Sequence, residues 1–208
     1  MRNERLMIDP VFVVTDIEAD GPVPGVNSMR AFASVAVGLD GTERGAFEAV
    51  LQPLEGSTPD AKTLGWFKSQ PEAWAAATRD ARPPEEVMEA YVDWVGGFTG
   101  GRIFTAYPLA FDGIWIDHYL RRFTSHALVE GHYVAGRLFD GSGLCLKSFA
   151  AALTRRPPWD CPPSSLPKEW FGGFEHSHRA IDDARGYASL LGVLRTIQAR
   201  TKDVPDIR

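Results

Sequence analysis

Cysteine is scarce in this chain: its 208 residues include only Cys145 and Cys161. The two cannot frame a disulfide-stapled fold and lack the C-x-x-C spacing of a zinc site, so they are expected as reduced thiols, which favours the cytoplasm. Long apolar runs are also missing. Val11-Phe12-Val13-Val14 is short and stops before Asp16, too brief for a membrane span or a secretory leader, so the chain is expected to be soluble with no membrane partner. Excess positive charge is absent as well, since 22 Lys and Arg face 27 Asp and Glu for a formal net charge of -5. That argues against a grip on nucleic acid by bulk electrostatics. It leaves room for a site built from carboxylates, which is itself acidic and whose local sign bound divalent cations can reverse where a phosphate must sit.

Apolar content of 44% and charged content of 24% are enough for one globular domain, taken as residues 1–208, that buries a core without staples. The β-branched run from Val11 predicts a buried strand, ended by Gly21, Pro22, Pro24 and Gly25. Two further apolar segments, Arg30 to Leu39 and Gly45 to Leu51, flank Asp40-Gly41, a hairpin signal. The opening third therefore reads as an antiparallel meander.

After Thr58-Pro59 the pattern becomes helical. One stretch carries Leu64, Trp66, Phe67 and Trp74. Pro83-Pro84 then starts a clearer helix, with Glu85 and Glu86 in its first turn and Val87, Ala90, Tyr91, Trp94, Val95 and Phe98 on one stripe, closed by Gly100-Gly101. A short strand is predicted at Ile103 to Ala106, a helix from Phe111 to Phe123, a strand near Leu138-Phe139 and a helix from Leu146 to Leu153. Arg155 to Gly173, rich in proline and glycine, reads as a long surface loop. A last helix runs from Arg179 to Gln198 with Ile181, Ala184, Ala188, Leu191 and Leu194 inward. Strands first, then alternating helix and strand, predict an α/β fold on a mixed sheet: an antiparallel meander followed by parallel strands, flanked by helices.

Three acidic groups carry the chemistry. Asp16 and Glu18 are two apart at the end of the first strand, so both leave the same face. Adjacent carboxylates repel, and burying them is costly unless a cation such as magnesium or manganese neutralises them. The other reading ends the strand at Val14 and makes Asp16 to Gly25 an acidic turn. Asp112 opens a helix just after a strand, where α/β sheets present functional groups, although an acidic residue there also suits the helix dipole and Asp117 competes with it. His178-Arg179-Ala180-Ile181-Asp182-Asp183 begins the last helix. His178 and Asp183 on one helix would lie roughly 140° apart around the axis, so the histidine must precede the helix if both reach one site. His176 forms a His-x-His pair with His178, an alternative metal signal.

The ordered set Asp16-Ile17-Glu18-Ala19-Asp20-Gly21, Ala110-Phe111-Asp112 and His178 to Asp183 resembles the three motifs of the DEDDh 3'-5' exonucleases, which include proofreading subunits, oligoribonuclease and ribonuclease T. The likeness spans Val11 to about Leu194. It implies a ribonuclease H-like fold, hydrolysis of single-stranded RNA or DNA from the 3' end to nucleoside 5'-monophosphates, and two Mg2+ or Mn2+ ions. It further implies that Asp16, Glu18, Asp112 and Asp183 are metal ligands and His178 the general base, Asp183 being preferred to Asp182 because the family leaves four residues between histidine and aspartate. Ala19 and Trp66 are the implied substrate contacts, and a homodimer is among the partnerships it allows. The chain departs from the family at Asp20, where threonine is common, and at Tyr107-Pro108-Leu109, where an asparagine or histidine usually stands. Thr63-Leu64-Gly65-Trp66-Phe67 resembles a bacterial and phage branch with an aromatic pair. Trp66, Phe67 and Tyr107 are candidates to stack on terminal bases, a core position being the simpler reading for Phe67. The alternatives are a catalytically silent ribonuclease H-like module binding nucleic acid or protein, and a phosphohydrolase acting on mononucleotides.

Overall fold

A computed structural model describes residues 9–131, 136–174 and 177–200. Its centre is β1 (Val11–Ala19), a strand covered on both faces and accordingly apolar almost throughout. On one side β1 pairs antiparallel with β2 (Met29–Val37), which pairs antiparallel with β3 (Glu43–Val50). On the other it pairs parallel with β4 (Arg102–Ala106), which meets a two-residue β5 (Leu144–Cys145), giving the order β3-β2-β1-β4-β5. The expected meander and parallel strands are thus both present. At the hairpin Gly41 takes a φ of 77°, and Asp40 accepts the Thr42 N–H at 3.0 Å.

Alternation along β1 sorts its side chains between two cores. Val11, Val13 and Ile17 face α3 (Pro84–Gly96) and α4 (Leu109–Phe123), where Tyr91, Trp115 and Tyr119 are fully buried. Phe12 and Val14 face α5 (Leu146–Thr154) and α6 (Ala180–Arg200), packed through Leu146, Ala184, Leu190 and Leu194. On the α3 side, the Thr15 and Ser34 hydroxyls share a hydrogen bond of 2.7 Å and Ser34 reaches the Tyr91 hydroxyl at 3.1 Å, so these three buried hydroxyls partner one another. Among the described residues no helix is long and apolar enough to cross a membrane.

Four boundaries differ from the sequence reading. The stretch after Thr58 is two helices, α1 (Ala61–Lys68) and α2 (Pro71–Ala76), because Pro71 cannot continue the first and starts the second. Helix α3 ends at Gly96, capped by Gly97, rather than at Gly100-Gly101. Leu138-Phe139 is no strand. Both residues are buried, but Asp140 closes the segment onto β4: its N–H donates to the Arg102 carbonyl at 2.7 Å and its carboxylate accepts the Arg102 N–H at 3.0 Å. The sheet's fifth strand comes later, where Leu144 and Cys145 pair with Thr105 and Ala106. The segment from Arg155 to Gly173 holds three short 3-10 turns, Pro158–Asp160, Pro163–Ser165 and Lys168–Phe171, and buries Cys161 and Leu166. Each turn follows or contains a proline, which fixes φ and removes a donor that a longer helix would need.

Candidate active site

Strand β1 stays extended past Val14, so Asp16 and Glu18 continue the alternation that sends Phe12 and Val14 toward α6, and the acidic-turn reading falls away. Asp16 is 8% exposed and Glu18 half-buried. Because β4 lies beside β1 in parallel, the helix that follows it starts at the same end of the sheet, and Asp112 sits in its first turn, 3% exposed. The first turn of α6 brings Asp183 to this end too, 4% exposed. Glu18, His178 and Asp183 each offer a ligand atom within 4.8 Å of the other two.

His178 does precede the helix. It adopts a left-handed backbone with φ of 56°, two residues before α6 begins at Ala180, which is how histidine and aspartate reach one site despite their angular separation on a continuous helix. Its ring packs edge-on against Trp66, centroids 4.8 Å apart and planes at 90°. Asp182 turns elsewhere: its carboxylate accepts the Ser177 hydroxyl at 2.9 Å and lies 3.6 Å from the Arg179 guanidinium. Asp117, the competitor on α4, accepts from Arg121 at 2.7 Å and from the Leu128 N–H at 2.8 Å. His176 lies outside the described residues.

Electrostatics tie the carboxylates together. Asp16 is held well above the ordinary carboxylate pKa by burial first, then by Asp112, Glu18 and Asp183. Burial, Asp183 and Asp112 push Glu18 up to about 8. Asp112 is raised to about 8 by burial, while the backbone N–H groups of Asp112 and Ile17 pull the other way. The Oδ2 atom of Asp112 is buried with no hydrogen-bond partner among the described residues. Hard, crowded carboxylate oxygens of this kind fit magnesium or manganese as ligand sets.

The other expected contacts divide. Ala19, the last residue of β1, is half-buried at a register shift beside Glu18. Trp66 is 44% exposed, whereas Phe67 is 2% exposed and belongs to the core. Tyr107 is 5% exposed and no open platform: its ring stacks on Tyr187 with centroids 5.2 Å apart, and its hydroxyl donates to the Cys161 carbonyl. The sequence reading passed over Tyr187, although it follows Asp183 by four residues and so shares its helix face. Burial, then Asp16, Asp183 and Asp112, drive its hydroxyl pKa far upward, which keeps it a neutral O–H beside the carboxylates. Asp20, the departure from the family pattern, points inward, accepting the Ser28 N–H at 2.7 Å and lying 3.6 Å from Arg30.

No protein-family model matches the chain, and no curated protein sequence does. Solved structures do. The zinc-bound form of the E. coli exonuclease I complex with single-stranded DNA superposes with a TM-score of 0.64 at 16% identity over 93% of this chain, which spans 42% of that protein's length. A 3'-exonuclease recognising the histone mRNA stem-loop gives 0.64 at 10% identity, covering 92% of this chain and 83% of the other. The nuclease domain of 3'hExo, a DEDDh family member bound to rAMP, gives 0.57 at 10% identity and covers 92% of each chain. The chain has the ribonuclease H-like fold of the DEDDh 3'-5' exonucleases.

Proposed function

We propose that this chain is a metal-dependent 3'-5' exonuclease that hydrolyses phosphodiester bonds at the 3' end of single-stranded nucleic acid and releases nucleoside 5'-monophosphates. The observation carrying this reading is the convergence of Asp16, Glu18, Asp112 and Asp183 at one end of the sheet, where burial first, and for Asp16 and Glu18 their carboxylate neighbours as well, raises the pKa of three of them, with His178 beside two. A fold shared with exonucleases does not decide chemistry, because function resides in the site. Here all five groups are present, which a silent binding module would not need.

The four carboxylates are the proposed ligands for two Mg2+ or Mn2+ ions, whose charge balances theirs. Such ions polarise the scissile phosphate, lower the pKa of bound water and stabilise the leaving 3' oxygen. His178 acts as general base, taking a proton from the attacking water, a role for which an imidazole side chain is chemically suited. Its left-handed backbone and the edge of Trp66 fix the direction of the ring. Tyr187 stays protonated and adds no further negative charge where phosphate must enter. Ala19 and Trp66 contact the substrate, Trp66 through an exposed face on which a base can stack. Residues 1–208 act as one catalytic domain, a cytoplasmic setting fits the two free thiols, and a homodimer is the oligomeric state to test by sedimentation.

One structural neighbour is complexed with single-stranded DNA and another recognises a histone mRNA stem-loop, so both RNA and DNA are test substrates. Matched 5'-labelled oligomers of each should give a ladder shortening from the 3' end in the presence of Mg2+ or Mn2+. No degradation of either polymer would overturn the reading, and release of phosphate from mononucleotides alone would replace it with a small-molecule phosphohydrolase.

A further inference from the structure

The outer face of α4 carries a surface that the carboxylate site does not use. Phe111, Ile114, His118 and Arg122 follow one another at intervals of three, four and four residues, so they line one stripe of the helix. Phe111 is 41% and Ile114 49% exposed, and Arg122 is exposed at the far end. Against this stripe lies the turn after β1. Gly25, with φ of 85°, brings its backbone so close to His118 that a Cβ there would stand 3.0 Å from the imidazole. The turn presents Val23 and Val26 to solvent, 48% and 60% exposed. They are fixed in place: Asn27 accepts the Val23 N–H at 2.9 Å and donates to the Thr58 carbonyl at 2.7 Å. Exposed apolar side chains on two elements that meet at Gly25 and His118 mark an interaction surface.

We infer that the α4 stripe and the adjoining turn form the track for the single strand upstream of its 3' terminus, bases packing on Phe111, Ile114, Val23 and Val26 and a phosphate meeting Arg122. The inference rests on the exonuclease reading of the carboxylate site. Continuity names the occupant, because Phe111 directly precedes Asp112 and a strand whose last phosphodiester lies at the carboxylates passes straight onto the stripe. The chemistry follows the same order, apolar beside the site and cationic at the far end, as stacking platforms with a charged margin require. From Phe111 to Arg122 the helix rises about 16 Å, enough for a few nucleotides. The carboxylate bordering the stripe, Asp117, is compensated by Arg121 and so opposes a phosphate little. Burial, then Arg122, lowers the pKa of His118, leaving a neutral flat ring midway.

The test compares the full chain with Ile114→Ser/Val26→Ser and Arg122→Ala on eight-nucleotide thymidine and uridine oligomers and on the dinucleotides, which reach no further along the track than Phe111. The double variant should raise KM for the octamers about tenfold while changing KM for the dinucleotides less than twofold. Arg122→Ala should reduce the slope of log affinity against log salt, read by fluorescence anisotropy of the octamer, by about 0.7. Parent-like octamer binding and salt slope in both variants would overturn the track and assign the face to a protein partner. Equal losses on dinucleotide and octamer would overturn it too, since the damage then lies in the catalytic centre. If the parent cuts neither substrate, the exonuclease reading fails by itself. The octamer anisotropy still decides the track, supported by weaker binding of the variants and overturned by equal binding or by none in the parent.

Discussion

Asp16 and Asp112 are nearly sealed from water, yet each lies within reach of other carboxylates, so every proton held at this site relieves repulsion. The sign of the resulting pH dependence follows from direction. Glu18 and Asp112 titrate near 8 in the folded protein and near 4.5 and 3.8 when unfolded, so between those values the native state binds more protons. Stability of the metal-free protein is therefore fully present below about pH 4 and is lost as pH rises through about 8. Thermal unfolding in chelator at pH 5 and pH 8 should show a lower Tm at the higher pH, with Mg2+ restoring it; equal Tm values, unmoved by Mg2+, would contradict the coupling. Asp16→Asn removes one of the repelling charges while keeping shape. It should unfold at higher temperature than the parent in chelator at pH 8, yet fail to digest an oligomer; digestion at the parent rate would show that Asp16 holds no essential ion. His178→Ala should slow hydrolysis by roughly 10² to 10⁴ fold, the range of a lost general base. Since Glu18, His178 and Asp183 stand close enough to share an ion, calorimetry of Mn2+ binding separates the two roles: parent-like affinity in the variant marks a base, and lost affinity marks a ligand.

At the scale of elements, side-chain hydrogen bonds decide several boundaries that apolar pattern alone could not place. Leu138-Phe139 has the composition of a strand and the burial of one, but the Asp140 carboxylate takes the Arg102 N–H that a neighbouring strand's carbonyl would have accepted. Asp140→Ala removes the carboxylate that accepts this part-buried N–H and a contact to Arg137 at 3.4 Å. It should cost about 1 to 3 kcal/mol in chemical denaturation with little effect on turnover. A parent-like midpoint would mean that water replaces the carboxylate at no loss. The short helices after Thr58 have a similar logic, since Asp60 accepts the Thr63 N–H at 2.8 Å to start α1 and Pro71 forces a new start for α2. The turn of about 100° per residue on α1 leaves Trp66 on the surface against His178 while Phe67, one residue on, enters the core.

For the molecule as a whole, the proposed chemistry needs hard cations held in close geometry and a free strand end. Magnesium or manganese should support hydrolysis and calcium should not, because calcium accepts longer and less regular coordination. Activity undiminished by excess chelator would remove the ions from the reaction. A circular single strand should survive an amount of protein that consumes its linear form, and cutting of the circle would point to an endonuclease on the same fold. The sequence by itself determined what is local: the alternation that sends Asp16 and Glu18 to one face, the proline and acidic residues that start α3, the Asp40-Gly41 hairpin, and a histidine placed before the last helix. It did not determine which face of the sheet α6 covers, that Asp183 rather than Asp182 turns toward Glu18 on physical grounds, or that β4 pairs parallel to β1 and so delivers Asp112 to the same end. Nor did it separate the buried Tyr107 from the exposed Trp66, or reveal Tyr187 behind the carboxylates. Those outcomes depend on contacts between segments far apart in the chain. Local periodicity is indifferent to them, and only the packing of two helical layers against one sheet fixes them.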